Sequence, residues 1–334
     1  MPTAARLNQV IGILAKEESD YGVAETLSNS ADGVNPYIGD GDPAAPESQE
    51  YVYDGNIGRA AGNLAPQRRT TPNGRFRTGS LQVLPKGLGS LYSAVLLPPS
   101  EVHRMLKASG LDATYSASPT PQWSYTPTAQ GTTFTSLTLR QFAQGMQFDQ
   151  AGVICDWSFE TQGLGVPVFT FNWRGVSTLP ADASLPVITI GSASIIPPVA
   201  SAIVGNIGAF TSATIRRVAF RLGRNVDTAR IAQNLAGGHA GFVPGGQMPE
   251  LEIEIERPAL ATFNPESELA LATSRAVDVT FGATQYNRWK LSLPQAQLAS
   301  VSPGAEGALA TVTLTYRGFA STPSANDHVS VLFN

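Results

Sequence analysis

Polar and apolar residues alternate with a period of two along much of this chain. Thr135 to Leu139, Trp157 to Glu160, Val168 to Trp173, Glu250 to Glu256, Val277 to Phe281 and Thr311 to Tyr316 all follow it. Each stretch is rich in β-branched or aromatic residues and is flanked by Gly, Pro or Asn, which predicts antiparallel strands with one buried face. Helical spacing is rarer. Residues 98–110 open with Pro98, Pro99 and Glu101 and close with Lys107 and Gly110. Val102, Met105 and Leu106 form one apolar stripe between those ends, so the segment predicts a helix covering one face of a sheet. Residues 12–18 and 227–236 are weaker helix candidates. The pattern as a whole predicts a mainly β protein.

From Ala183 to Ile215 no residue is charged over 33 positions. A membrane-spanning helix needs about 20 apolar residues with every backbone group bonded internally. Pro186, Gly191, Pro197, Pro198, Gly205 and Gly208 interrupt this segment. It therefore predicts short buried strands with turns, and no membrane span. Met1 to Asn8 lack the charged and then apolar pattern of a secretory leader.

Two halves are visible. Phe171-Asn-Trp-Arg-Gly-Val176 closes the first, and Leu314-Thr-Tyr-Arg-Gly-Phe319 closes the second. In each, an alternating strand ends in aromatic-Arg-Gly, and Arg317 follows Arg174 by 143 residues, about one domain length. Ile154 to Glu160 also resembles Trp289 to Gln295. Domains of residues 1–178 and 179–334 follow, with the boundary between Ser177 and Pro186.

Charge is sparse and sorted. Only 14% of residues are charged, against roughly 25% in an ordinary soluble domain, and the net charge is −4. A basic nucleic-acid binder is disfavoured, because phosphate contacts need clustered Lys and Arg. Residues 17–58 carry ten acids and no Lys or Arg, whereas residues 59–77 carry five Arg and no acid. An ordered acidic arm with a basic partner is one consequence. Asp40, Asp42, Glu47, Glu50 and Asp54 would meet Arg68, Arg69, Arg75 and Arg77, either in a hairpin on their own domain or on a neighbouring copy. In the second half, Glu250, Glu252, Glu254 and Glu256 alternate with Leu251, Ile253 and Ile255. Period two puts four carboxylates on one face, where they must be solvated or neutralised. That face is either an ordinary exposed strand or the wall of an acidic aqueous channel.

No motif demands catalysis. Cys155 is the sole cysteine, so a disulfide framework is excluded. There is no Gly-x-Ser-x-Gly elbow, and His103, His239 and His328 have no metal-ligand spacing. The glycine turns Gly163-Leu-Gly165 and Gly237-Gly238 lack a phosphate-loop setting. The expectation is no enzyme, no metal and no cofactor.

The order of the segments resembles the major tail tube proteins of long-tailed bacteriophages. The resemblance rests on Ile11 to Gly22, the helix end Met105 to Gly110, Trp123 to Thr128, Thr135 to Arg140, Phe148 to Val153 and Val166 to Gly175. In the second half it rests on Asp278 to Phe281 and Thr311 to Phe319. It implies β-sandwich or barrel domains with a flanking helix, whose long strands join neighbours into a central β-barrel. It also implies a homo-oligomer stacked into a filament: hexameric rings for one tube domain per chain, or trimeric pseudo-hexameric rings for two. The bore would hold double-stranded DNA and a tape-measure protein without specific binding. Tail terminator and tip proteins would be the end partners, and the virion tail, made in the host cytoplasm, the location. The competing expectation is a carbohydrate- or receptor-binding β-sandwich of a tail tip or adhesin. There Trp123 and Tyr125 would stack on sugar, with Trp157 and Trp173 in the core.

Overall fold

The structure is a computed structural model that describes residues 10–34, 47–53, 70–86, 102–117, 120–129, 134–143, 145–162, 165–189, 203–226, 228–231, 239–322 and 325–334. The protein is mainly β, with two short helices among the described residues. Its first half contains β1 (Val10–Glu17), β2 (Gly33–Val34), β3 (Glu47–Tyr53), β4 (Thr70–Val83), α1 (His103–Ala108), β5 (Leu111–Ser116), β6 (Gln122–Pro127), β7 (Leu137–Ala143), β8 (Met146–Gln162), β9 (Val168–Ser177) and β10 (Ala181–Asp182). The second contains β11 (Ile203–Ile207), β12 (Ile215–Arg221), β13 (Thr228–Ile231), β14 (His239–Val243), β15 (Glu250–Glu256), α2 (Pro265–Ala270), β16 (Ser274–Phe281), β17 (Trp289–Glu306), β18 (Leu309–Gly318) and β19 (Ser330–Phe333). Among the described residues all pairings are antiparallel; β13 and β14 form a separate ribbon, and every other described strand belongs to one connected sheet.

Five of the six alternating segments are strands throughout, and Thr135 to Leu139 is strand only from Leu137, but two expected helices are largely strand where they are described. Residues 12–18 fall largely in β1, which pairs with β7 along its length and with β2 at Ile13 and Leu14. Ile13, Leu14 and Ala15 are buried in succession, so this strand is covered on both faces and shows no alternation to read. Residues 228–231 of the second candidate are β13. Of the helix expected over 98–110, residues 98–101 lie outside the described residues; among the rest α1 spans His103–Ala108, with Met105, Leu106 and Ala108 buried. The uncharged stretch yields β11 and the start of β12. Residues 183–189 are not buried strand as expected: Val187 is 91% exposed, and the backbone is held to residue 29 by the Thr189 N–H donating to Asn29 O at 2.9 Å.

The same topology occurs twice. The first half has the order β1-β7-β8-β9-β4-β3, and the second has β11-β16-β17-β18-β15-β12. Each half has a six-residue helix against its long middle strand, α1 on β8 and α2 on β17. The registers agree as well. Arg174 lies opposite Ile154 and Arg317 opposite Gln297, so both members of the second pair follow the first by 143 residues. Ile154 therefore corresponds to Gln297, not to Trp289 as the sequence suggested. Bulges interrupt both long strands, between Ala151 and Ile154 and between Leu298 and Ser300, and break a simple alignment by residue pattern.

The halves share one core. Phe159 and Phe169 lie 5.1 and 5.0 Å from the Trp289 ring, and Trp157 lies 4.9 Å from Phe220. Each such contact adds about 0.5–1.5 kcal/mol beyond area burial. The halves also join edge to edge. β12 pairs with β8 over Ser158–Gln162, on the edge of β8 that β7 occupies further up. Beyond β12, segments 222–226 and 244–248 cross the end of α1, and the β13–β14 ribbon reaches the first half. There the Tyr21 hydroxyl accepts from the Phe242 N–H at 2.7 Å and lies 3.3 Å from the Gly152 carbonyl.

Candidate functional site

The edge-to-edge joint produces one polar face across both halves. Because the pleat alternates, every second residue of each strand falls on it, and the register aligns these residues in rows. One row runs Gln82, Thr170, Ser158, Arg221, Glu250, Arg317 and Gln297 across β4, β9, β8, β12, β15, β18 and β17. The next runs Glu160, Ala219, Glu252, Thr315 and Ser300. Leu251, Ile253 and Ile255 are buried on the opposite side.

The four glutamates expected on one face are there, but they do not form a bare acidic wall. Arg217 pairs with Glu252 and, at 2.8 Å, with Glu160, bridging the joint between the halves. Arg221 reaches Glu250 at 2.6 Å and Arg317 reaches it from the other side at 3.2 Å. Arg216 joins Glu256 at 3.3 Å and also pairs with Glu306. Glu254 lies opposite Arg217 in the β12–β15 register. The hydrogen bond that Arg217 donates to Glu160 pushes the Arg217 pKa up, so that cation stays charged. Glu160, Glu306 and the four row glutamates are set against Arg216, Arg217, Arg221 and Arg317, so the face keeps an excess of two carboxylates. Sequence reasoning missed these arginines. Arg217 and Arg221 sit four apart in a period-two strand, and that spacing was the available signal.

A shallow depression of about 300 Å³ opens on this face, lined by Ser158, Glu160, Thr170, Arg221, Glu250 and Glu252. Its charged groups are committed to one another, so it offers paired charge and no activated nucleophile. Among the described residues no three His, Cys, Asp or Glu side chains are grouped to hold a metal ion. Cys155 is buried, and burial pushes its thiol pKa up, away from the reactive thiolate. No described helix is long and apolar enough to cross a membrane.

The arm residues divide. Asp40, Asp42, Asp54, Arg68 and Arg69 lie outside the described residues. Glu47, Glu50 and Arg75 lie in the β3–β4 hairpin, with Glu47 opposite Arg77 and Glu50 opposite Gly74. The acidic and basic segments are thus adjacent strands of one chain over this stretch. Arg77 cannot serve as an exposed docking residue here, because it is 6% exposed and its guanidinium lies 3.9 Å from the Phe148 ring centroid.

Of the two sugar-stacking candidates, one is corrected. Tyr125 is fully buried and hydrogen-bonded to His103 Nδ1 at 2.8 Å. Trp123 is partly buried against His103 and Tyr115, and Trp157 and Trp173 are core residues. His103 is likewise no solvated helix residue: burial lowers its pKa to about 4.

No protein-family model and no curated protein matches the chain.

Proposed function

We propose that this protein is a structural subunit of a bacteriophage tail tube, stacking as rings into a hollow conduit for double-stranded DNA. One observation carries the reading. Two halves of identical topology are already joined side by side, β12 to β8, so the chain contains one lateral joint of the kind a ring repeats. A heterologous joint between equivalent units closes into a ring when the rotation permits. Closure also removes the open strand edges that otherwise threaten an all-β protein. With two units per chain, three copies make a ring of six.

The polar face supplies a suitable wall. Its arginines are bound to glutamates, and carboxylates remain in excess, so it offers DNA phosphates no set of unpaired cations to bind. Without phosphate neutralisation there is no counterion release to hold the duplex, and it slides. The tape-measure, terminator and tip partners belong to the same reading. Negative-stain microscopy of concentrated protein is the test. Rings or tubes with a hollow axis and three copies per ring are expected; a protein monomeric in every condition overturns the reading.

A further inference from the structure

A buried charge pair stands in the second half where the first half is wholly apolar. Leu298 lies opposite Tyr316 as Cys155 lies opposite Trp173, and Ala296 lies opposite Arg275 as Val153 lies opposite Leu137. Glu268 stands three residues before the end of α2 at Leu271, as Leu106 stands before the end of α1 at Ser109. Glu268, Arg275 and Tyr316 therefore occupy the places of Leu106, Leu137 and Trp173, all three buried core side chains. Replacing a buried ion pair by well-packed apolar residues is often neutral or stabilising. The fold alone thus does not account for this pair.

The pair belongs to the wall of a cavity of about 460 Å³ between α2, residues 209–212 and residues 260–264. Arg275 Nε meets Glu268 Oε1 at 2.8 Å, while Glu268 Oε2 is buried without a hydrogen-bond partner. The guanidinium crosses Gly208, where a Cβ would stand only 3.0 Å from Nη1. The Arg275 side chain is 26% exposed, and among the described residues no hydrogen bond occupies its Nη groups. The Phe263 ring lies 5.9 Å from that guanidinium and stacks on Phe210 at 4.9 Å. Leu260 and Leu271, both exposed, line the same opening. Thr211, Ser212 and Thr262 add exposed hydroxyls that make no side-chain hydrogen bond among the described residues.

Three features select the ligand. Glu268 already balances the Arg275 charge, so a neutral molecule enters at the least electrostatic cost. The open Nη donors and the hydroxyls call for several oxygens on it. Phe263, Leu260 and Leu271 call for apolar C–H surface between those oxygens. We propose that this cavity binds a neutral pyranose sugar, whose oxygens accept from the Arg275 Nη groups and whose C–H face lies against Phe263 and the two leucines. Glu268 is a positioning residue there, holding the guanidinium by Nε. Ala296 and Tyr316 alternate with Gln297 and Arg317 of the polar face, so the cavity lies on the other side of the sheet. The inference therefore does not depend on the ring reading.

Saturation-transfer NMR on the full chain is the test, with methyl α-glucopyranoside, methyl α-galactopyranoside and N-acetylglucosamine as probes. At least one of the three is expected to receive saturation from the wild type and to bind more tightly than glucuronate or cyclohexylmethanol. Ala261→Trp fills the cavity from an exposed position and leaves the charge pair intact. R275M/E268Q removes the donors without leaving a buried charge unpaired. Each variant is expected to weaken sugar binding by about tenfold or more, the effect of losing a hydrogen bond to a charged group. No saturation of any of the three sugars, or equal binding by wild type and A261W, overturns the proposal. Cyclohexylmethanol bound as tightly as the best sugar also overturns it, because the cavity is then a merely apolar cleft.

Discussion

Replacing Arg275 by Met should destabilise the protein in a pH-dependent way that identifies its cause. Glu268 of α2 is 4% exposed. Its carboxylate pairs with Arg275 Nε at 2.8 Å and accepts from the Tyr316 hydroxyl at 3.3 Å. Burial pushes its pKa up, while Arg275 and the Tyr316 hydrogen bond pull it down. Without Arg275 the burial remains and the counter-charge is gone, so the carboxyl takes up a proton rather than stay charged in the core. Neutralising a carboxyl of ordinary pKa, about 4.3, costs up to about 3.7 kcal/mol at pH 7 and about 1 kcal/mol at pH 5. A carboxyl whose folded pKa is raised binds more protons folded than unfolded. Its penalty is therefore absent well below the unfolded pKa and grows as pH rises toward the folded one. Urea unfolding of wild type and R275M at pH 5 and pH 7 measures it. The stability difference between the two proteins should widen by up to about 2.7 kcal/mol from pH 5 to pH 7. In R275M/E268Q that widening should vanish. A difference equal at both pH values would refute the buried-carboxylate account, leaving only lost packing. Glu268 ties α2 to β16 through Arg275 and to β18 through Tyr316, so the outcome also reports how firmly α2 is fastened to the sheet.

Three further outcomes follow from the same structure. Trp289→Ala removes the ring on which Phe159, Phe169 and Phe281 converge, and should cost about 3–5 kcal/mol in chemical unfolding. His103 should stay neutral at pH 5 by NMR titration. Its pKa, lowered by burial to about 4, lies below the unfolded value, so its contribution is intact above pH 6.5 and falls by about 3 kcal/mol as pH drops to 4. H103Q should remove that acid sensitivity. Arg217→Ala breaks two partly exposed pairs across the joint, and should cost about 1 kcal/mol at 0.1 M salt and less at 1 M, read by thermal unfolding.

How far such positions can be foreseen depends on which residues specify them. Half-exposed strands announce themselves, because one face must be polar. The run from Glu250 to Glu256 is legible for that reason, as are the strands that carry Arg174-Gly175 and Arg317-Gly318. Strand β1 is not, since Ile13 to Ala15 are covered on both sides and carry no period. The end-to-end repeat is legible only at its Arg-Gly anchors. Elsewhere bulges at different places in β8 and β17, the β5–β6 hairpin in one half and the β13–β14 ribbon in the other shift the alignment. Topology and register preserve what residue identity does not. The paired face was half legible: the glutamates lie in one strand, but their arginines come from β12 and β18, whose adjacency to β15 no local pattern states.

That pairing bears on how the bore of the proposed tube can be lined without loss of stability. Four carboxylates on alternate positions of one strand repel across its face, and leaving them bare would cost stability in every copy. Full neutralisation by mobile lysines would remove that cost but would offer phosphates a row of movable cations. Arg216, Arg217, Arg221 and Arg317 avoid both outcomes. Arg216 and Arg217 each bridge two carboxylates on neighbouring strands, and Arg221 and Arg317 share Glu250 between them, so each guanidinium has a carboxylate partner in the sheet. The Arg217 bridge from Glu160 to Glu252 also crosses the boundary between halves, so the contact that quiets the face is one that fastens the units together. An Arg-to-Lys exchange at 217 separates these two roles: it keeps the charge while giving up the fork that serves two carboxylates at once. R217K should therefore loosen the β8–β12 joint, seen as faster amide exchange at Glu160 and Ala219, without changing the net charge of the face. Exchange as slow as in the wild type would mean that the backbone ladder alone holds the halves together.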